Sequence, residues 1–218
     1  MDVHTYFGPA DLESIRNAVA EVEKTTSGEV VPYVVGASDD YPETAWKGAL
    51  FGALVVTAVA AAVHDLGGFW GGSFAVWAAL PAAAGAALGF LAPRWNATVR
   101  RALADEQARV RRVQARAEAA FLSEEVFRTR ERTGILLFLS LEERRVVVLG
   151  DSGINAKVEQ REWDETVAEI VSGIKAGQPA AALVAGIRRC GKLLSRRGVE
   201  IRPDDRDELS DELRLEDR

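Results

Sequence analysis

The stretch from Trp46 to Trp95 decides most of what this chain can become. It reads WKGALFGALVVTAVAAAVHDLGGFWGGSFAVWAALPAAAGAALGFLAPRW. Gly48–Val63 carries no charge, and Thr57 is its one polar side chain; Phe69–Ala92 is apolar apart from Ser73. A membrane-spanning helix needs roughly 20 apolar residues, or about 17 at the lower limit. The second segment meets this directly. The first meets it when Ala45–Lys47 are included, with the Lys47 ammonium reaching outward along its own stem. His64, Asp65 and a glycine-rich turn lie between them, short enough to force an antiparallel hairpin.

A helical hairpin inside a soluble core is the competing reading, because alanine and glycine are only mildly hydrophobic. Two features favour the bilayer. Gly48-x-x-x-Gly52 and Gly85-x-x-x-Gly89 are spacings that let transmembrane helices approach closely. Trp46, Trp70, Trp77 and Trp95 lie mostly near segment ends, where indoles favour the interface. Pro81 predicts a kink in the second helix, which a bilayer tolerates.

Basic residues set the expected orientation. Arg94, Arg100, Arg101, Arg109, Arg111, Arg112 and Arg116 follow the second segment against only Asp105 and Glu106, and the connecting loop has no Lys or Arg. By the positive-inside rule both termini are expected on the cytoplasmic side of a two-helix, multi-pass membrane protein. The Arg94–Arg116 stretch then serves as topology determinant and headgroup contact. Across all 218 residues the net charge is −6, which gives no global basic character for nucleic-acid binding. The single cysteine, Cys190, excludes an internal disulfide framework and fits a reducing compartment. The N-terminus lacks the basic-then-apolar pattern of a cleavable signal peptide.

The rest of the chain alternates helical and strand patterns. Pro9 opens a helix with a Leu12, Ile15, Val19, Val22 stripe, and Glu29–Gly36 (EVVPYVVG) reads as a strand that Pro32 marks as edge or bulged. After the hairpin, Asn96 caps a long Arg-rich helix through Val99, Leu103, Val110, Val113, Ala117 and Phe121. Gly134–Ser140 (GILLFLS) is a strand buried on both faces, and Arg144–Leu149 returns after a turn at Leu141–Glu143. Helices at Gln160–Ala176 and from Pro179 to Gly198 follow. Trp163 is core in the first; Leu183, Ile187, Cys190 and Leu194 are core in the second. The fold class is α/β: a small mixed β-sheet flanked by helices and interrupted by a two-helix transmembrane hairpin. Its parts are 1–44, the hairpin 45–93, 94–200, and an acidic tail 201–218, read as mobile or only locally helical.

The pieces TSGEVVPYVVGASDDYP and RTRERTGILLFLSLEERRVVVLGDSGINAKVEQREW, with a membrane hairpin between them, resemble the TPM domain family. The likeness is to its bacterial membrane-protein branch, in which two helices are inserted after the first strand. Its most diagnostic parts are Thr133-Gly134, the Ser140–Arg144 turn, Asp151-x-Gly153-Ile154 and Trp163. The family includes a plant thylakoid protein described as an acid phosphatase and members that bind calcium. The resemblance therefore implies a Ca²⁺ or Mg²⁺ site at strand ends, matched here by Asp39 or Asp40 and by Asp151. The entry strand of the secreted branch is not evident.

The residues carry their own chemical expectations. Gly150-Asp151-Ser152-Gly153 matches the tetrapeptide around a serine-protease nucleophile, but such a serine needs a histidine base. The chain's two histidines are His64, expected across the membrane, and His4, in the N-terminal stretch. The string reads better as a strand-exit turn on permissive glycines. Asp39, Asp40 and Asp151, joined by Glu142 or Asn155, offer the oxygen ligands that Ca²⁺ or Mg²⁺ takes. Arg144 or Arg145 beside Asp151 would supply a phosphate contact, with Arg144 the candidate. Two functions stay open: a cytoplasmic interaction module for an unidentified protein partner, with a divalent metal, or a membrane-anchored, metal-dependent acid phosphatase.

Overall fold

A computed structural model describes residues 3–67, 73–199, 201 and 208–217. It divides into two compact units, Met1–Asp39 with Arg111–Arg218, and Asp40–Val110. Trp70 and most of the loop joining the two apolar helices fall outside the described residues.

The first unit is built on α1 (Pro9–Glu23) and β1 (Val30–Val35). The second contributes α2 (Pro42–Leu66), α3 (Phe74–Trp95) and α4 (Ala97–Leu103), after which α5 (Glu106–Ser123) carries the chain back. Then come β2 (Ile135–Ser140), β3 (Arg145–Gly150), the single-turn α6 (Ser152–Asn155), α7 (Gln160–Lys175), α8 (Pro179–Arg196) and β4 (Arg214–Glu216). The sheet order is β3-β2-β1-β4; β1 is parallel to both β2 and β4, and β3 is antiparallel to β2.

Period-two alternation splits the two central strands between two cores. Val30, Val34, Ile135, Leu137 and Leu139 face α1, α7 and α8, where Ile15, Val19, Ile170, Leu183, Ile187, Cys190 and Leu194 are buried. Val31, Tyr33, Val35, Leu136 and Phe138 face the other way and pack on Val113, Ala117 and Ala120 of α5. The continuous apolar run of β2 is thus explained: every residue of it is buried. Burial pushes the Cys190 thiol up to about 12, which fits a small core hydrophobe.

Three expectations change. The long Arg-rich helix is two: Asn96 does cap it, accepting from Thr98 and Val99 amides at 2.9 and 3.2 Å, but Ala104 is extended and Asp105 re-caps α5 through the Ala108 amide. The acidic tail is not wholly without structure, because Leu213 and Leu215 pack on the first core while β4 extends the sheet beyond β1. That addition makes β1 an inner strand. Its pairing with β4 begins at Tyr33, so Pro32, which has no amide hydrogen, stays outside that ladder.

In the second unit α2 and α3 form an antiparallel pair at near-contact distance. A Cβ added at Gly48 would fall 2.2 Å from the Gly89 carbonyl oxygen, and one at Gly52 the same distance from that of Gly85. The four glycines are therefore required by backbone approach. α3 runs unbroken through Pro81. Leu50, Phe51, Leu54, Val59, Val63, Leu80 and Leu88 remain exposed.

Candidate functional site

Strand direction decides which of the expected site residues can meet. β1 and β2 are parallel and β3 is antiparallel, so β1 and β3 finish at opposite ends of the sheet. Asp39 follows Val35, which stands level with Ser140 and Arg145; Asp151 follows Gly150, level with Ile135 and Val30. Five residue steps along a strand separate the two ends by about 16 Å. Asp39 and Asp151 therefore do not fit one ion. Arg144, at the β2–β3 turn, shares the Asp39 end, so the expectation of Arg144 beside Asp151 is corrected by the same topology. Asp40 opens the other unit. Among the described residues no group of three or more His, Cys, Asp or Glu is arranged to hold a metal.

At its own end Asp151 is committed to structure. It is 5% exposed. Arg132 grips it with both arms, Nε to Oδ2 at 2.6 Å and Nη2 to Oδ1 at 2.9 Å, and the Ser152 amide donates to Oδ1 at 2.6 Å. This bidentate geometry is the strong form of the carboxylate–guanidinium pair. It holds the Arg132 guanidinium above its usual range, chiefly by the hydrogen bond itself. Arg132 has φ 58°, a left-handed conformation held by the grip on Asp151 and by the Gly153 amide donating to the Arg132 carbonyl at 3.0 Å. Gly153 is needed for space: a Cβ there would lie 2.4 Å from the Glu131 carbonyl oxygen. The permissive backbone expected of Gly150 and Gly153 is thus a matter of close approach, since neither has a positive φ. Ser152 opens α6, and His4 belongs to a 3-10 turn whose neighbour Val3 donates to Asp217, beyond the opposite end of the sheet. No serine–histidine pairing forms there.

The Asp39 end gathers charge from distant parts of the chain. Arg112 Nη1 meets Asp39 Oδ1 at 2.9 Å. Glu143 is buried, accepts from the Ser38 amide at 3.1 and 3.3 Å, and takes a short hydrogen bond from Ser140; Ser38 Oγ bonds Ser140 Oγ at 2.8 Å. Glu142 is buried beside it, its amide donating to the Gly36 carbonyl at 3.0 Å. On the same side of the sheet as α5, Glu216 of β4 pairs with Arg116 at 2.5 Å and accepts from the Tyr33 hydroxyl, which burial and this contact push above its ordinary value.

A second carboxyl cluster sits at the Asp151 end. Glu23 accepts from the Val30 amide at 3.4 Å and shares a hydrogen bond with Asp211, and Glu29 accepts from the Glu208 amide at 3.2 Å. Burial first, then the charge of Glu29, raise the Glu23 carboxyl to about 10. Sequence reasoning missed Arg132, Arg112, Ser140, Glu216 and this cluster. The one local signal was Ser140, a hydroxyl closing an otherwise apolar strand.

The profile of the family described as the TPM domain matches residues 97–193, and the chain carries a TPM domain over that stretch. Among solved structures it is similar to the NMR structure of the BA42 protein from the psychrophilic bacterium Bizionia argentinensis. That match has a TM-score of 0.59 and 20% identity, and it covers 96% of this chain and 94% of that one, a likeness of fold. No curated protein matches the sequence.

Proposed function

We propose that the protein is a membrane-anchored interaction module, with α2 and α3 spanning a bacterial inner membrane and the TPM domain on its cytoplasmic face. The observation that carries this is the surface of the hairpin. Both helices are long and apolar enough to cross a bilayer, yet the most apolar windows are 0% and 6% buried. A core helix of a soluble protein would hide that surface; here each helix hides mainly the glycine face turned to its partner. Exposed leucine and valine on all other sides is what lipid solvates and water does not. In the TPM domain the polar groups at both sheet ends are used in cross-links between segments, which suits a rigid docking platform.

The expected result of alkaline carbonate extraction is retention of the chain in the membrane pellet, and a reporter fused after Arg218 should be active in the cytoplasm. Release into the supernatant overturns the anchoring, and periplasmic reporter activity overturns the orientation. Calorimetric titration of the purified chain with Ca²⁺ or Mg²⁺ tests the cation expectation. Because no ion reaches both Asp39 and Asp151, any binding heat must depend on at most one of them.

A further inference from the structure

We propose that the base of the helical hairpin is a binding surface for anionic phospholipid, with Lys47 and Arg94 directed at the headgroup phosphate and Trp46 and Trp95 seated beside them at the interface. The inference rests on reading α2 and α3 as membrane-spanning. Its argument begins with position. The glycine contacts Gly48–Gly89 and Gly52–Gly85 fix the register of the two helices, which places Lys47 level with Phe90 and Arg94 about one turn further out. The Trp46 and Phe90 rings lie 5.1 Å apart in an edge arrangement, confirming that level. From Gly48 to Leu66 the helix is about 28 Å long at 1.5 Å per residue. That matches a hydrocarbon core of about 30 Å and puts both cations at headgroup depth.

The hydrogen bonds of these cations are the second observation. Lys47 Nζ donates to the Leu103 carbonyl at 3.1 Å, and Arg94 Nη1 donates to the Phe90 carbonyl at 3.2 Å. Arg100 Nη1 donates to the Pro93 carbonyl at 3.2 Å. All three acceptors are neutral carbonyls in the last turns of α3 and α4, and those of Pro93 and Leu103 lie among the terminal groups that have no partner inside their own helix. The bonds of Lys47 and Arg94 orient these two cations on neutral groups. The Arg94 guanidinium also lies 4.1 Å above the Phe90 ring, which fixes its reach further.

Charge and exposure complete the surface. Trp46 and Trp95 are 71% and 80% exposed, each next in sequence to one of the two cations. Within Asp40–Val110 the basic residues are Lys47, Arg94, Arg100, Arg101 and Arg109, against Asp40, Glu43, Asp105 and Glu106 at this end, in a chain whose overall charge is −6. The local balance is therefore slightly basic where the whole protein is acidic, and complementary to an anionic leaflet.

The test uses the full chain in lipid vesicles, with brominated phosphatidylglycerol or brominated phosphatidylcholine quenching its tryptophan emission. Quenching by the anionic lipid is expected to exceed that by the zwitterionic lipid by roughly three- to tenfold in relative binding. The preference should collapse towards unity in the Lys47→Gln, Arg94→Gln double variant. A charge-retaining Lys47→Arg, Arg94→Lys variant should keep it, which separates lost charge from lost folding. Strong but equal quenching by both lipids in the unaltered chain overturns the proposal and leaves membrane insertion standing. Absence of quenching by either lipid overturns both.

Discussion

Asp151 and Asp39, which follow strands at opposite ends of the sheet, are held in different ways, and the difference concerns where along the chain their partners come from. For Asp151 the partner is local: Arg132 lies 19 residues away, on the loop that feeds the neighbouring strand. Both carboxylate oxygens are engaged, and the backbone of Glu131 and Arg132 presses against Gly153. At the Asp39 end the partners are remote. Arg112 comes from the helix after the hairpin, Glu143 from the turn beyond β2, and Glu216 from the C-terminal strand. The grip on Asp151 is a local lock. The network at Asp39 ties together segments that the hairpin separates in sequence.

The largest effect should come from breaking the lock at its tightest point. Gly153→Ala puts a Cβ 2.4 Å from a backbone oxygen that cannot swing aside. We expect a loss of about 3 kcal/mol in denaturant unfolding of the TPM domain. Asp151→Ala removes the cap and leaves Arg132 without its bidentate acceptor, for a loss of about 2 kcal/mol. Asp151→Asn, which keeps an oxygen for the Ser152 amide, should lose less. An Asp151→Ala protein as stable as the unaltered chain would show that the lock does not hold this end.

A pH-dependent effect separates the ends further, since the protonated carboxyl belongs to the Asp151 end. Glu23 has a folded value raised to about 10 against an ordinary 4.5. The folded state therefore binds this proton more tightly than the unfolded chain. Its contribution to stability is complete below about pH 4.5 and is lost as pH rises towards 10. Glu23→Gln keeps a neutral amide at the position and should flatten that fall when melting temperature is compared at pH 5 and pH 9. A variant with an unchanged slope would place the effect in other groups.

Most of the scaffold was legible because it depends on local pattern. The buried faces of α7 and α8, the two-sided burial of β2 and the glycine register of the hairpin follow from periodicities of 3.6, 2 and 4 residues. The Asp39–Asp151 site was not, because its failure is topological. Both aspartates do leave strand ends, but nothing in GDSG or SDD says whether β3 runs with β1 or against it. A turn of four residues after β2 was the decisive clue: it forces β3 to run antiparallel to β2, while the long excursion through the hairpin lets β1 and β2 run parallel. Arg132 was hidden for a different reason. Its left-handed backbone and its aim at Asp151 depend on a β2 entry loop that carries no periodic signal.

The smallest predicted effect lies at the Asp39 end. Asp39 and Arg112 are each about one-third exposed, with side-chain values of 34% and 31%, and Arg112 Nη1 meets Asp39 Oδ1 at 2.9 Å. A pair of that kind is worth about 0.5 kcal/mol, and salt screens it. Asp39→Asn should therefore lower the unfolding free energy by about that amount in dilute buffer and by next to nothing in 0.5 M NaCl. The cost of Asp151→Ala should survive the same salt, because the carboxylate it removes is shielded from solvent and gripped by two hydrogen bonds. Equal salt sensitivity at both positions would mean that the Asp151 lock is an ordinary surface ion pair, and that the two ends of the sheet are held by the same kind of force.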